Sequence, residues 1–420
     1  MPRRKRQPTD YRDGARVKAL NAYLDRCVRP EIHLFRKPRL AFHVCGSVGF
    51  LSAIALSISL AMALGLKLTV VATLIATAAL TFYGVVMATK IVTGEEQIVY
   101  YHHEIAVMIV AALMLRLLGQ PVLPYLDITI LCIGAFLAFG RVGCLMCGCC
   151  HGRPHRWGVC YRSEHAKAGF TPYYVGVRLF PIQAVESLWV MTIVVSGAGF
   201  VLSGHPQGTA LAWYSVMYGI GRFYFEFMRG DAERPYYLGF SQGQWVSLLL
   251  MCFVVSAEWI GVLPFHLWHV GVTVGLVLTM IAVAIGRRFQ RPPTHRLLNP
   301  RHVKEVAEAI ELTSTRTNET TEIGDWTVLP RRSPATATIR IGCTSLGIRI
   351  SAGTTKTAMG DVQHYALSSA RGRMNEETAR VLARLIVQLN CGFGPSEFVT
   401  GKKDVFHVLI HSGDPKERAC

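Results

Sequence analysis

Eight apolar runs constrain this chain more than any other feature. They cover residues 41–66, 68–88, 105–118, 122–139, 184–202, 210–227, 246–263 and 267–285. A hydrocarbon core roughly 30 Å thick takes about 20 apolar residues per crossing helix. Lipid offers the backbone no hydrogen-bond partners, so each run is expected to be helical. The third run is short, and the fourth follows it after a tight Gly119-Gln120-Pro121 turn. The expected fold is an all-α polytopic membrane protein of seven or eight transmembrane helices with a small C-terminal α+β soluble domain.

Charge and cysteine content narrow the function classes. The net charge is +17, yet residues 1–40 hold twelve Lys/Arg against four Asp/Glu, while 301–420 hold sixteen against thirteen. A basic flank beside apolar spans is an anionic-lipid contact before it is a nucleic-acid site. Arg3-Arg4-Lys5-Arg6 stands well ahead of a run of about 25 apolar residues rather than a short signal core, so 1–40 is read as a basic N-terminal arm and not a cleaved leader. Twelve cysteines in 420 residues are too few for a disulfide scaffold.

Residues 41–286 are assigned to the membrane part, 287–330 to a linker carrying Arg287-Arg288, Pro292-Pro293 and a Thr/Glu-rich stretch, and 331–420 to the soluble module. In that module 337–351 alternates like a strand, 375–389 has helical periodicity with Asn375 as cap, and 405–411 is strand-like. Counting spans, the polar stretches 93–103, 144–182 and 228–243 emerge on one membrane face, so a site built from them lies at one surface.

Charged side chains in a bilayer are costly and therefore functional candidates. Tyr218, Arg222, Glu226 and Arg229 recur at helical spacing along one face. Arg222 and Glu226 can simply neutralise one another, or the guanidinium can clamp a phosphate bidentately. At the end of the fourth run, Gly140-Arg141-Val142-Gly143-Cys144 leads to Cys147-Gly148-Cys149-Cys150-His151, with glycines that admit close backbone approach and Arg141 at headgroup depth. Four cysteines and a histidine in eight residues can ligate zinc, but a structural zinc site draws further ligands from a distance, and Cys160 is the one nearby addition. The thiols are read first as packing groups. Tyr101-His102-His103-Glu104 offers a general base, and Glu186 is either a helix N-terminal carboxylate or a site residue.

These stretches together resemble the prolipoprotein diacylglyceryl transferase family, over roughly residues 30–260. Gly140-Arg141-Val142-Gly143 with Gly148 is similar to its signature loop, and Pro181-Ile182-Gln183 with Glu186 to its Pro-x-Gln-x-x-Glu. Tyr218-Gly219 with Arg222-Phe223 is similar to its Tyr-Gly-x-x-Arg-Phe, and Ser241-Gln242-Gly243-Gln244 with Ser247 to its Ser-x-Gly-Gln. The chain departs from the family where Cys144 and Cys147 replace asparagines, Cys149 replaces an acidic residue, Phe42 replaces a tyrosine, and Tyr101-His102-His103 replaces a His-Gly-Gly or Tyr-Gly-Gly element.

The resemblance implies transfer of a diacylglyceryl group from phosphatidylglycerol to the lipobox cysteine of a prolipoprotein, with release of glycerol phosphate and without metal or organic cofactor. It implies Arg141 and Arg222 as the cations, Tyr218 as headgroup ligand, His102 or His103 as base, and Glu226 as the partner orienting Arg222. Tyr101, Gly140, Gly143, Gly148, Gln183, Glu186 and Gln244 complete the substrate-binding set. The implied location is the bacterial inner membrane, multi-pass. The positive-inside bias puts both termini and the motif-bearing face in the cytoplasm, whereas the resemblance implies an outward face. Two other readings stand beside it: a membrane thiol or metal-handling protein working through Cys144–Cys150, and an inactive relative that binds a partner.

Overall fold

The computed structural model describes residues 10–34, 37–94, 100–314, 331–332, 338–357, 360–390, 396–401 and 404–411. The Arg3–Arg6 cluster and the Thr/Glu-rich stretch 315–322 lie outside the described residues. Helix α1 (Asp10–Cys27) and the hairpin β1 (Glu31–Leu34) and β2 (Lys37–Leu40) precede α2 (Ala41–Ala63), α3 (Leu68–Thr93), α4 (Tyr100–Leu117) and α5 (Val122–Cys147). A cap follows, made of β3 (Pro154–Cys160), the short α6 (Ser163–Lys167) and β4 (Arg178–Leu179). Then come α7 (Ile182–Leu202), α8 (Thr209–Phe225), the hairpin β5 (Tyr236–Tyr237) and β6 (Phe240–Ser241), α9 (Gln242–Trp259) and α10 (Leu267–Phe289).

All eight apolar runs are therefore helices. Five of them, α2, α3, α5, α7 and α10, are long and apolar enough to cross a membrane by themselves. Helix α5 is central: 56% of its apolar window is buried, against 22–28% in the other four. It carries Gly134, where a Cβ would lie 2.4 Å from the Tyr214 ring, and Gly143, where one would lie 3.1 Å from the Phe42 backbone. Such small residues let helices approach closely in lipid, where packing rather than hydrophobicity drives association. Asp127 of α5 accepts from the Gly208 and Leu211 amides, both at 2.7 Å, so a carboxylate among apolar helices caps the start of α8.

Beyond α10 lie α11 (Thr294–Leu297) and α12 (Pro300–Ser314). The stretch read as linker thus contains a helix, and Val303, Val306 and Ala309 on α12 are buried. Three apolar residues spaced three apart give α12 a face that must be covered. It is covered by the C-terminal sheet, made of β9 (Gly342–Cys343), β10 (Ile348–Thr357), β11 (Gly360–Ser369), β12 (Ser396–Thr400) and β13 (Phe406–His411). A separate two-residue pair, β7 (Arg331–Arg332) with β8 (Thr338–Ile339), precedes it. The sheet order is β12-β13-β11-β10-β9, with every pair antiparallel.

Helix α13 (Glu376–Leu389) crosses the sheet, and its N-cap Asn375 accepts from the Glu377 amide, as expected from the sequence. The single strand expected over 337–351 is instead broken at Thr344–Gly347. There Gly347 takes φ +77° and its amide donates to the Thr344 carbonyl, which turns the chain from β9 into β10. One hydrophobic core joins this module to the cap: Val177, Leu179 and Tyr174 pack with Val306, Ile350 and Leu382.

A buried arginine–carboxylate chain as the candidate site

The site forms where α5, α7 and α8 meet the cap. Glu186, one turn into α7, is buried at 1% exposure and shared by two arginines. Arg141 Nε lies 3.1 Å from its Oε2, an ion pair without hydrogen-bond alignment, and Arg222 Nη1 lies 3.4 Å from its Oε1. The Tyr218 hydroxyl donates to the same carboxylate at 3.2 Å. Arg222 then pairs with Glu226 at 2.7 Å, and Glu226 also accepts from Arg229 and Arg234. Arg229 and Arg234 both hold Asp231, at 2.8 and 3.1 Å. Four guanidiniums face three carboxylates in this mostly buried chain.

Helix α8 ends at Phe225, and the chain turns through 226–229 before Arg229 reaches back. The helical spacing read from the sequence holds for Tyr218 and Arg222, and the turn brings Arg229 to the same carboxylate. Arg234 and Asp231 were not among the expected site residues. Their signal was the density of charge in 226–234 directly after an apolar helix.

The aromatic wall lies on the other side. The Tyr101 hydroxyl is 2.7 Å from Ser247 Oγ, and its ring lies 5.6 Å from that of Tyr218. The Tyr100 hydroxyl meets that of Tyr214 at 2.8 Å. The two histidine candidates are not brought to the arginine chain. His103, two residues on from Tyr101 and therefore on the far side of α4, is buried, stacked on Phe82 at 4.4 Å with neither ring nitrogen hydrogen-bonded. His102 is exposed and lies 3.4 Å from the Gln242 amide nitrogen.

The glycines and glutamines build the surroundings. Gly148 is the α5 C-cap at φ +87°, a conformation that favours glycine, and a Cβ there would sit 2.5 Å from Phe170. Gly140 faces open space. Gln244 forms a capping box with Ser241 and donates to the Phe223 carbonyl, which ties the start of α9 to α8. Gln183 donates to the Cys149 carbonyl at 2.9 Å, and its buried Oε1 has no partner.

Past Gly148 the chain folds back on α5. Cys150 adopts φ +52°, unusual for a residue with a Cβ, and the ligand atoms of Cys144, Cys149 and Cys150 fall within 4.8 Å of one another. Hydrogen bonding within the trio holds the Cys150 thiol well below its ordinary range and pushes that of Cys149 well above it.

Fold and site together define a helical membrane protein with a buried arginine–carboxylate chain beside its cap. Residues 98–260 match the family model described as prolipoprotein diacylglyceryl transferase, which bears out the resemblance seen in the sequence. The chain is similar to the phosphatidylglycerol–prolipoprotein diacylglyceryl transferase of Clostridium tetani, 29% identical over 129 residues, covering 30% of this chain and 49% of that protein. The second such enzyme of Clostridium perfringens is 26% identical over 132 residues, covering 31% and 49%. That of Dehalococcoides mccartyi is 32% identical over 120 residues, covering 28% and 44%. The chain spans about half the length of the curated relatives it matches. The matched segment runs from α4 to α9 and includes the whole arginine–carboxylate chain.

Proposed function

We propose that the protein transfers the diacylglyceryl group of phosphatidylglycerol to the cysteine thiol of a prolipoprotein, in a bacterial plasma membrane, with 41–286 as the transferase unit and the basic arm and soluble module outside it. The observation that carries the reading is the convergence of Arg141 and Arg222 on the single carboxylate of Glu186. Two guanidiniums that share one carboxylate are spaced to share one phosphate, which presents the same pair of oxygens. The Arg141 and Arg222 guanidiniums favour an incoming phosphodiester and favour still more the additional charge that develops on phosphate as its ester C–O bond breaks.

In this reading Tyr218 and Tyr101 hold the headgroup, while Glu226 keeps Arg222 oriented against Arg229 and Arg234. Glu186 and Gln183 position the cap, Gly140 leaves room for the glyceryl chain, and Gly143, Gly148 and Gln244 set the packing and helix ends around it. Catalysis of the departure lies with Arg141 and Arg222. His102 and His103 are the basic groups of α4 closest in sequence to the site, with His102 at the surface where an acceptor peptide arrives. The test is transfer of labelled diacylglycerol from phosphatidylglycerol to a lipobox peptide by the purified full chain. Labelled thioether product is expected with a cysteine peptide and none with its serine counterpart. Absence of product with both would overturn the reading.

A further inference from the structure

The sulfurs of Cys144, Cys149 and Cys150 converge just past the end of α5. A tetrahedral zinc thiolate has Zn–S distances of about 2.3 Å and therefore sulfurs about 3.8 Å apart. The ligand atoms of Cys144, Cys149 and Cys150, all within 4.8 Å of one another, are near that arrangement. The backbone is bent to create it. Gly148 reverses the chain, Cys150 is held in the left-handed region, and the residues beyond are stitched to the turn after α8, with the Gly230 amide donating to the His151 carbonyl and the Arg153 amide to that of Met228. A strained non-glycine residue maintained by its surroundings is characteristic of functional sites.

We infer that Cys144, Cys149 and Cys150 bind a zinc ion with its fourth position open, and that this position takes the acceptor cysteine thiol. The inference rests on the transferase reading and supplies what that reading lacks, a means of activating the thiol. Neither His102 nor His103 reaches the arginine chain. The other nearby donors are turned elsewhere, Cys147 Sγ toward the Pro30 carbonyl and His151 Nδ1 toward that of Gly152. Three protein ligands and a free position are the pattern of catalytic rather than structural zinc. Cys149 is exposed, so the free position has access from outside.

Placement agrees. Cys144 lies one helical turn beyond Arg141 on α5, and the chain just after Cys150 is bonded to the turn that carries Arg229. The attacking sulfur and the departing phosphate would thus occupy neighbouring sites. The acceptor thiol loses its proton to water on binding, as metal-bound thiols do. Its sulfur then attacks the glyceryl carbon. An S–C bond forms, the C–O bond to phosphate breaks, and the electron pair leaves on glycerol phosphate held by Arg141 and Arg222. The neutral thioether is a poorer ligand than a thiolate and dissociates.

The test uses the full chain purified under reducing conditions. Elemental analysis is expected to find about one zinc per chain. Cys149→Ser should lose the metal, and Cys147→Ser, outside the triad, should keep it. The cobalt-substituted protein should show tetrahedral thiolate bands that shift on adding a cysteine lipobox peptide and stay unchanged with the serine peptide. A metal-free preparation that transfers diacylglycerol, or a disulfide mapped within the triad in such a preparation, would overturn the zinc site and leave the transferase reading standing. Cobalt bands indifferent to the thiol would overturn the open position. Thiol-dependent bands in a protein that transfers nothing would support the site and overturn the transferase reading.

Discussion

At the scale of single residues, the decisive question is whether the arginines act as charges or as shaped donors. Arg222 bridges Glu186 and Glu226 from two different nitrogens. An ammonium on a flexible stem cannot reproduce that geometry. Arg222→Lys is therefore expected to reduce transfer by about 100-fold or more while the helical circular dichroism is retained; near-normal turnover would reduce Arg222 to an ion-pair partner. Glu186 makes the complementary case. Glu186→Ala leaves Arg141 with no carboxylate and Arg222 with half its partners in a buried site, a defect of about 3–5 kcal/mol. Thermal unfolding in detergent should register a clear loss of stability, and an unchanged midpoint would mean that water or lipid already screens the pair. Tyr218, Arg222 and Glu186 were legible in the sequence because charge and hydroxyl stood out against apolar neighbours. The histidines are harder to place, because position in sequence cannot say which side of α4 meets α8, and His103 stacks on Phe82.

At the scale of elements, the apolar runs contain each of the five described helices that are long and apolar enough to span, since hydrocarbon permits little else. Less was visible where tertiary contacts decide. Helix α12 lies inside a polar segment, and its buried face is made of small or polar side chains, Val303, Val306, Ala307 and Ala309 with His302 and Thr313. Its junction with the sheet carries a pH prediction. His302 is buried between the Leu297 carbonyl at 2.7 Å and Thr344 Oγ1 at 3.0 Å. Burial lowers its pKa below the ordinary imidazole value, so the neutral ring is the folded form. A base whose folded pKa is depressed contributes stability that is fully present above its ordinary pKa, about 6.5, and that is lost as the pH falls below it. Amide protection factors in α12 and β10, corrected for intrinsic exchange, should therefore fall between neutral and mildly acidic pH. His302→Gln should flatten that dependence; an equally steep profile in the variant would assign the effect elsewhere.

At the scale of the whole molecule, contacts fix the number of crossings more firmly than hydropathy does. Helices α4, α8 and α9 fall outside the group that is long and apolar enough to span unaided, and these are the helices that carry Tyr101, Tyr218, Arg222 and Gln244; the site itself lowers their apolar character. Yet α1 is bound to the cap, with the Gly158 amide donating to Asn21 and Arg178 paired to Asp25 at 3.0 Å. The chain between them, α2 to α5, must then cross an even number of times, which requires α4 to cross. The cap likewise shares one core with α12 and the C-terminal sheet, so α7 to α10 must also cross an even number of times, and α8 and α9 cross together. Arm, cap and C-terminal module all lie on one side. Single cysteines placed at the exposed positions Lys18, Glu164 and Glu377 are therefore expected to react with an impermeant maleimide from the same side of sealed vesicles, and cysteines at Lys67 and His205 from the opposite one. Labelling is read by peptide mass mapping, so that each introduced cysteine is scored separately from the exposed native thiols Cys27, Cys149 and Cys252. Reaction of Lys18 and Glu164 positions from opposite sides would mean that α4 does not span, and the contacts of α1 with β3 could not then exist in the membrane.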